Sequence, residues 1–155
     1  MKKNIESLMV PHLNTIKTFD PAEPLERMAE RAGIPADKVL RLNANENPYG
    51  PSPKVPEVLA TLRTELYPDP LQRLLRQAIG DFYGIDPEHV IAGAGSDELI
   101  DLLFRLFTSP RDQVLDCDPT FGMYTFCAAI AGAEVKSIPR DANFELDVSK
   151  VIDAI

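Results

Sequence analysis

Gly93 and Gly95 flank Ala94 immediately ahead of Ser96-Asp97-Glu98, where a short apolar run gives way to a helical pattern. A strand-to-helix corner of this kind leaves the backbone N–H groups of Ser96, Asp97 and Glu98 without intrahelical acceptors. Together with the positive end of the helix dipole, those donors form a site suited to phosphate. Two other readings of the same residues stand beside this one. In the first, Ser96 caps the helix while Asp97 and Glu98 complement its dipole; both carboxylates compete with an anion unless they turn away and leave only their amides facing it. In the second, Gly93-Ala94-Gly95 begins a dinucleotide fingerprint with Asp116 at the distance of a ribose ligand, but Glu98 stands where the third glycine belongs, and its bulk would hold helix and strand apart.

The rest of the composition narrows the chemistry. A net charge of -8 with no dense basic cluster lacks the footprint needed for a nucleic acid backbone or an anionic membrane, so any anion must be held by local geometry. No apolar run approaches the ~20 residues that cross a bilayer. Cys117 and Cys127 form no CxxC pair, and no apolar leader follows Lys2-Lys3, so the expected location is cytoplasmic. His12 and His89 are too far apart in sequence to suggest a metal site and read as surface residues.

These residues need elements to position them. Residues 11–23 read as an extended arm in which proline blocks regular hydrogen-bonded structure. A short helix follows over 25–32, with Leu25, Met28, Ala29 and Ala32 on one face and Gly33 as its stop. Leu40 to Asn43 is strand-like and leads into the polar loop Asn45-Glu46-Asn47-Pro48-Tyr49-Gly50. Helical spacing then recurs over 53–65 and again over 70–83, the second ending at Gly84. Beyond it, the pattern predicts strand 89–92, helix 96–107, strand 113–117, helix 120–131 and strand 134–138, an α/β arrangement with a mostly parallel sheet and right-handed crossovers. Helix 96–107 has apolar residues almost all round and should be buried. Residues 148–155 have helical spacing and stop abruptly, as though the parent chain continued.

Taken together, Leu42-Asn43-Ala44-Asn45-Glu46-Asn47-Pro48-Tyr49-Gly50-Pro51-Ser52-Pro53, Tyr67-Pro68-Asp69-Pro70, the Gly93–Glu98 corner and Asp118-Pro119-Thr120-Phe121-Gly122-Met123-Tyr124 resemble, in order and spacing, the histidinol-phosphate aminotransferases, which have the fold type I architecture of aspartate aminotransferase. The resemblance runs from about Leu40 onward and covers roughly the N-terminal two-fifths of such an enzyme. It implies an N-terminal arm and small-domain segment over 1–50 and the first half of a large cofactor-binding domain over 51–155. It also implies pyridoxal 5'-phosphate as cofactor, with Gly95 and the amides of Ser96 and Asp97 at its phosphate, Phe121 stacked on its ring and Tyr124 at its edge. Tyr67 would reach the cofactor of a partner subunit, which requires a homodimer. Asn45, Glu46 and Asn47 would lie over the substrate.

The implied reaction is amino transfer between glutamate and imidazole-acetol phosphate. The same fold would also serve an aromatic aminotransferase or a threonine-phosphate decarboxylase, and a non-catalytic phosphate-binding module is the alternative from another class. In the arm, Phe19 lacks the hydroxyl common in relatives and Glu23 reverses a charge. Transamination needs a lysine amine, and lysines 2, 3, 17, 38, 54, 136 and 150 do not lie in the family's setting. A Schiff-base lysine is therefore expected beyond Ile155, and the 155 residues alone are expected to be inactive.

Overall fold

The computed structural model describes residues 4–17 and 22–155; Phe19 and its neighbours in the arm lie outside the described residues. The chain divides into two compact units, Phe19–Pro70 and the combination of Met1–Thr18 with Leu71–Ile155.

In the first unit, helix α1 (Leu25–Ala32) ends at Gly33, whose φ of 67° is the left-handed geometry that glycine accepts without strain. Ala29 is buried where α1 packs on the turn Ala36–Lys38. Leu40 to Asn43 forms no strand. The next helix, α2, spans only Lys54–Leu59, short of the predicted 53–65. Val55, Val58, Leu59 and Leu62 are all exposed, and a helix whose apolar stripe stays largely uncovered has little to extend it.

The second unit is α/β. Helix α3 (Arg73–Tyr83) starts three residues after Pro70 because Gln72 turns into the left-handed region (φ 51°), and it stops at Gly84 as predicted. At Gly80 a side chain could not fit, since a Cβ there would lie 2.7 Å from the Ile85 carbonyl oxygen of the returning turn. Arg76 fastens that turn through Nε to the Pro87 carbonyl (3.0 Å) and a 3.0 Å ion pair with Glu88.

The expected strand 89–92 does not form. Val90 is extended and buried, but among the described residues no strand pairs with it, and an extended segment becomes a strand only through a ladder partner. Helix α4 (Ser96–Phe107), strand β1 (Gln113–Asp116), helix α5 (Met123–Ala131) and strand β2 (Glu134–Ser137) follow. β1 and β2 are parallel, with Val114 opposite Val135 and Asp116 opposite Ser137. Bonds from Ile138 N–H to Asp116 O (2.8 Å), Asp118 N–H to Ile138 O (3.1 Å) and Arg140 N–H to Asp118 O (2.7 Å) carry the alternation past the strand ends.

The small core holds Val90, Cys127, Ala128 and Ile138, with α5 against both strands and α4. The expectation that α4 is buried is not met. None of its residues is buried, and Leu103, Leu106 and Phe107 are exposed. Its one extensive contact among the described residues is with α5, so the rest of its apolar band has no partner; Ile91, Leu99, Leu102, Leu103, Arg105 and Leu106 line an open groove of about 320 Å³ there. The chain ends in the short helix α6 (Val148–Asp153), capped by the Asp147 carboxylate, which accepts the N–H groups of Ser149 and Lys150.

Candidate functional site

The corner ahead of α4 keeps the geometry that its glycines predict, with one change of role. The capping position belongs to Gly95 (φ 87°, ψ 174°), and no side chain caps the helix, so Ser96 is its first residue and not its cap. That backbone conformation is essentially restricted to glycine. It aims the chain into α4 so that the N–H groups of Ser96 and Asp97 lie in the unpaired first turn.

Glu98 does not turn away. Its carboxylate folds back across the turn and accepts the Ala94 N–H. A Cβ on Gly93 would lie 2.7 Å from Glu98 Oε2, so the first glycine makes room for that carboxylate. The bulk at position 98 therefore sits over the loop and does not wedge helix from strand. Sequence reasoning missed this role; the signal available was a Glu three residues after the capping position, the spacing of a capping box.

Phe121 and Tyr124 enter from the loop after β1 and the first turn of α5. Their rings meet edge to face, centroids 6.2 Å apart at 90°, the arrangement favoured by ring quadrupoles. Phe121 is 47% exposed, so nearly half of the residue is accessible to a ligand. Arg140 braces this loop by donating from Nε to the Cys117 carbonyl (3.0 Å) and from Nη1 to the Phe144 carbonyl (3.1 Å).

Contact between α4 and α5 sets the helix that follows the corner beside the helix that carries Tyr124. The Asp97 charge reaches α5: burial chiefly, then Asp101 and Asp97, push the Cys127 thiol up, against a smaller opposing effect of Arg105. Cys127 is thus a buried thiol in surroundings that disfavour its thiolate. Asp116, at the carboxyl end of β1, is also buried, and desolvation followed by the Asp118 charge raises its carboxyl above the ordinary range. Carboxyl ends of parallel strands are where α/β proteins place ligands.

The remaining predicted residues belong to the other unit. Tyr67 is completely exposed. Asn47 is occupied with its own turn, its Oδ1 accepting Tyr49 N–H (3.0 Å) and its Nδ2 donating to the Gly50 carbonyl (3.2 Å). Asn45 sits in the left-handed region at φ 52°. Glu46 pairs with Arg41 at 3.5 Å. Arg41, read from sequence only as part of a strand, has a side chain that is mostly buried and also donates to the Glu23 carbonyl. His12 is likewise more than a surface residue, since its Nε2 lies 2.9 Å from the Ile130 carbonyl oxygen. Among the described residues no cluster of His, Cys, Asp and Glu could hold a metal, and no helix is long and apolar enough to cross a membrane.

The chain is similar to known proteins. The chain is 44% identical over 161 residues to a histidinol-phosphate aminotransferase of Roseiflexus castenholzii, covering 100% of this chain and 43% of that protein. It is 41% identical over 151 residues to a chloroplastic histidinol-phosphate aminotransferase of Nicotiana tabacum, covering 97% and 37%. The chain thus spans about two-fifths of the length of the curated relatives it matches. Among solved structures, histidinol-phosphate aminotransferase from Sinorhizobium meliloti, crystallised with pyridoxal-5'-phosphate, superposes with a TM-score of 0.79 over 96% of this chain and 39% of that one at 24% identity. An aspartate aminotransferase from Thermotoga maritima superposes with a TM-score of 0.65 over 83% and 37% at 23% identity. The fold is accordingly that of the fold type I aminotransferases. The family described as aminotransferase class I and II matches residues 37–155, the stretch that holds both the α4 corner and the aromatic pair, and the chain belongs to that family.

Proposed function

We propose that this chain supplies the cofactor-phosphate corner and ring platform of a histidinol-phosphate aminotransferase. In the whole enzyme the reaction is transfer of an amino group from glutamate to imidazole-acetol phosphate, giving histidinol phosphate and 2-oxoglutarate. The carrying observation is the α4 corner, where Gly95 turns unpaired Ser96 and Asp97 amides outward at the positive end of a twelve-residue helix. The names of the 44% and 41% identical relatives support the substrate.

The residues fit pyridoxal 5'-phosphate. Its dianionic phosphate suits the first-turn amides, and its flat ring suits a half-exposed aromatic residue such as Phe121. When bound, the cofactor supplies an aldehyde that takes up the amino group and a ring that draws off electron density from the substrate α-carbon. The chain's own contribution is to bind and orient. Ser96 and Asp97 fix the phosphate end, Phe121 holds the ring plane, and Tyr124 sets the Phe121 ring edge to face. None of the lysines of these 155 residues lies in the family's setting for a Schiff-base lysine, so this stretch is assigned binding and orientation and not the amine chemistry.

Exposure of Tyr67 leaves its hydroxyl available to a second subunit, in support of a homodimer with shared sites. Cys117 and Cys127 are both free thiols, which suits a reducing, cytoplasmic compartment. The test is to supply the full-length enzyme with pyridoxal 5'-phosphate, glutamate and imidazole-acetol phosphate and to measure 2-oxoglutarate release. Turnover only with an aromatic 2-oxo acid would overturn the substrate, and failure to retain cofactor through gel filtration would overturn the cofactor.

A further inference from the structure

We infer that Glu98 is a positioning residue for the phosphate corner, and that Gly93 is a glycine in order to admit its carboxylate. The inference rests on the cofactor reading above and assigns a role to a side chain that the phosphate does not touch.

A carboxylate in the first turn of α4 has two possible effects on an anion bound there. Free in the site, it repels the phosphate. Folded back on the Ala94 N–H, it spends its hydrogen-bonding capacity on the loop, as the structure has it. That bond joins the residue two before Ser96 to the residue two after it, closing a ring around the Gly95 peptide. Gly95 is the flexible member of this ring, with a φ of 87° that it shares with a wide set of other conformations in an unrestrained chain. Bracing it from both sides holds the Ser96 and Asp97 amides in one direction before the ligand arrives, which lowers the ordering cost of binding.

The second observation concerns the space around the same carboxylate oxygen. The backbone of Gly93 does not need a glycine, because its φ lies outside the left-handed range; the folded-back placement of Glu98 does, since a Cβ would come within 2.7 Å of Glu98 Oε2 and 3.2 Å of Leu99 Cδ2, and these side-chain ends would have to move. Gly93 and Glu98 therefore act as one device. An added methyl at 93 would evict the carboxylate without removing any polar group.

The experiment compares E98A, E98Q, G93A and the G93A/E98A double variant of the full-length enzyme. It reads the dissociation constant for pyridoxal 5'-phosphate and the hydrogen-exchange rate of the Ala94 amide. E98Q keeps an acceptor oxygen and is expected within about threefold of the parent, whereas E98A, which loses one hydrogen bond, weakens cofactor binding about five- to tenfold. G93A should reproduce the E98A loss and add little to it in the double variant, because the two act on the same contact. Ala94 exchange should quicken in E98A and G93A and not in E98Q. Tighter binding in both E98Q and E98A would make Glu98 a competing anion and overturn the inference, as would additive losses from G93A and E98A. If the parent retains no cofactor, the cofactor reading fails by itself, and Ala94 exchange still decides whether Glu98 braces the loop.

Discussion

His12 Nε2 lies 2.9 Å from the carbonyl oxygen of Ile130, joining the N-terminal turn Pro11–Thr15 to the last turn of α5 across 118 residues of sequence. A helix end leaves its final carbonyls without intrahelical donors, and the imidazole satisfies one of them. The left-handed Gly132 that follows (φ 75°) lies against the same ring, with a position for a Cβ only 3.4 Å from His12 Cε1.

Removing this contact should loosen two segments together. His12→Ala in the full-length protein is expected to lower the opening free energy of the α5 C-terminus by about 0.5–1.5 kcal/mol, the net worth of one hydrogen bond. Native-state hydrogen exchange at residues 11–16 and 129–133 measures it. Unchanged protection at both segments would make the contact incidental.

Gly95 should tolerate no side chain. Its conformation, φ 87° and ψ 174°, costs a residue with a Cβ about 1–3 kcal/mol. Gly95→Ala is expected either to destabilise the corner by that amount or to relax it, turning the Ser96 and Asp97 amides away. Both outcomes weaken cofactor binding, read by titration with pyridoxal 5'-phosphate. Parent-like affinity would remove the amides from the site.

Asp116 gives a pH dependence of defined sign. Burial first, then the Asp118 charge, raises its carboxyl above the ordinary value of 3.8 in the folded protein. The folded state therefore binds this proton more tightly than the unfolded state does. Its contribution to stability is fully present below pH 3.8 and is lost as pH rises through the raised value. Asp116→Asn, which carries no charge, should be more stable than the parent at pH 7.5 and gain no such advantage at pH 3.5. Denaturant midpoints at the two pH values decide this, and an equal gain at both would assign the effect to packing.

Tyr67 is fully exposed in its own subunit, so Tyr67→Phe should leave unfolding within about 0.5 kcal/mol of the parent. If its hydroxyl serves the neighbouring subunit, the same change lowers cofactor affinity by about three- to tenfold, one hydrogen bond's worth. Equal affinity in the two proteins would take Tyr67 out of the site.

Local rules wrote much of this chain in advance. Helix α1, the stops at Gly33 and Gly84, β1, β2 and the corner ahead of α4 all follow from apolar period, glycine placement and orphan backbone donors, which act within a few residues. The motif order that marks the aminotransferases was equally legible. What failed was whatever depended on a distant partner. The stretch 89–92 has strand composition but no ladder neighbour among the described residues, helix α2 stops early with its apolar residues exposed, and α4 leaves much of its apolar band uncovered.

The site divides along the same line. Residue types and spacing alone pointed to residues 95–97 as a candidate anion site, because helix ends carry their unpaired N–H groups wherever the helix lies. Only the tertiary structure decided that Glu98 folds onto Ala94, that Phe121 meets Tyr124 edge to face, and that Asn47 is committed to its own turn. A side chain's direction depends on the space its neighbours leave and on the donors within reach, and neither is written in the sequence around it.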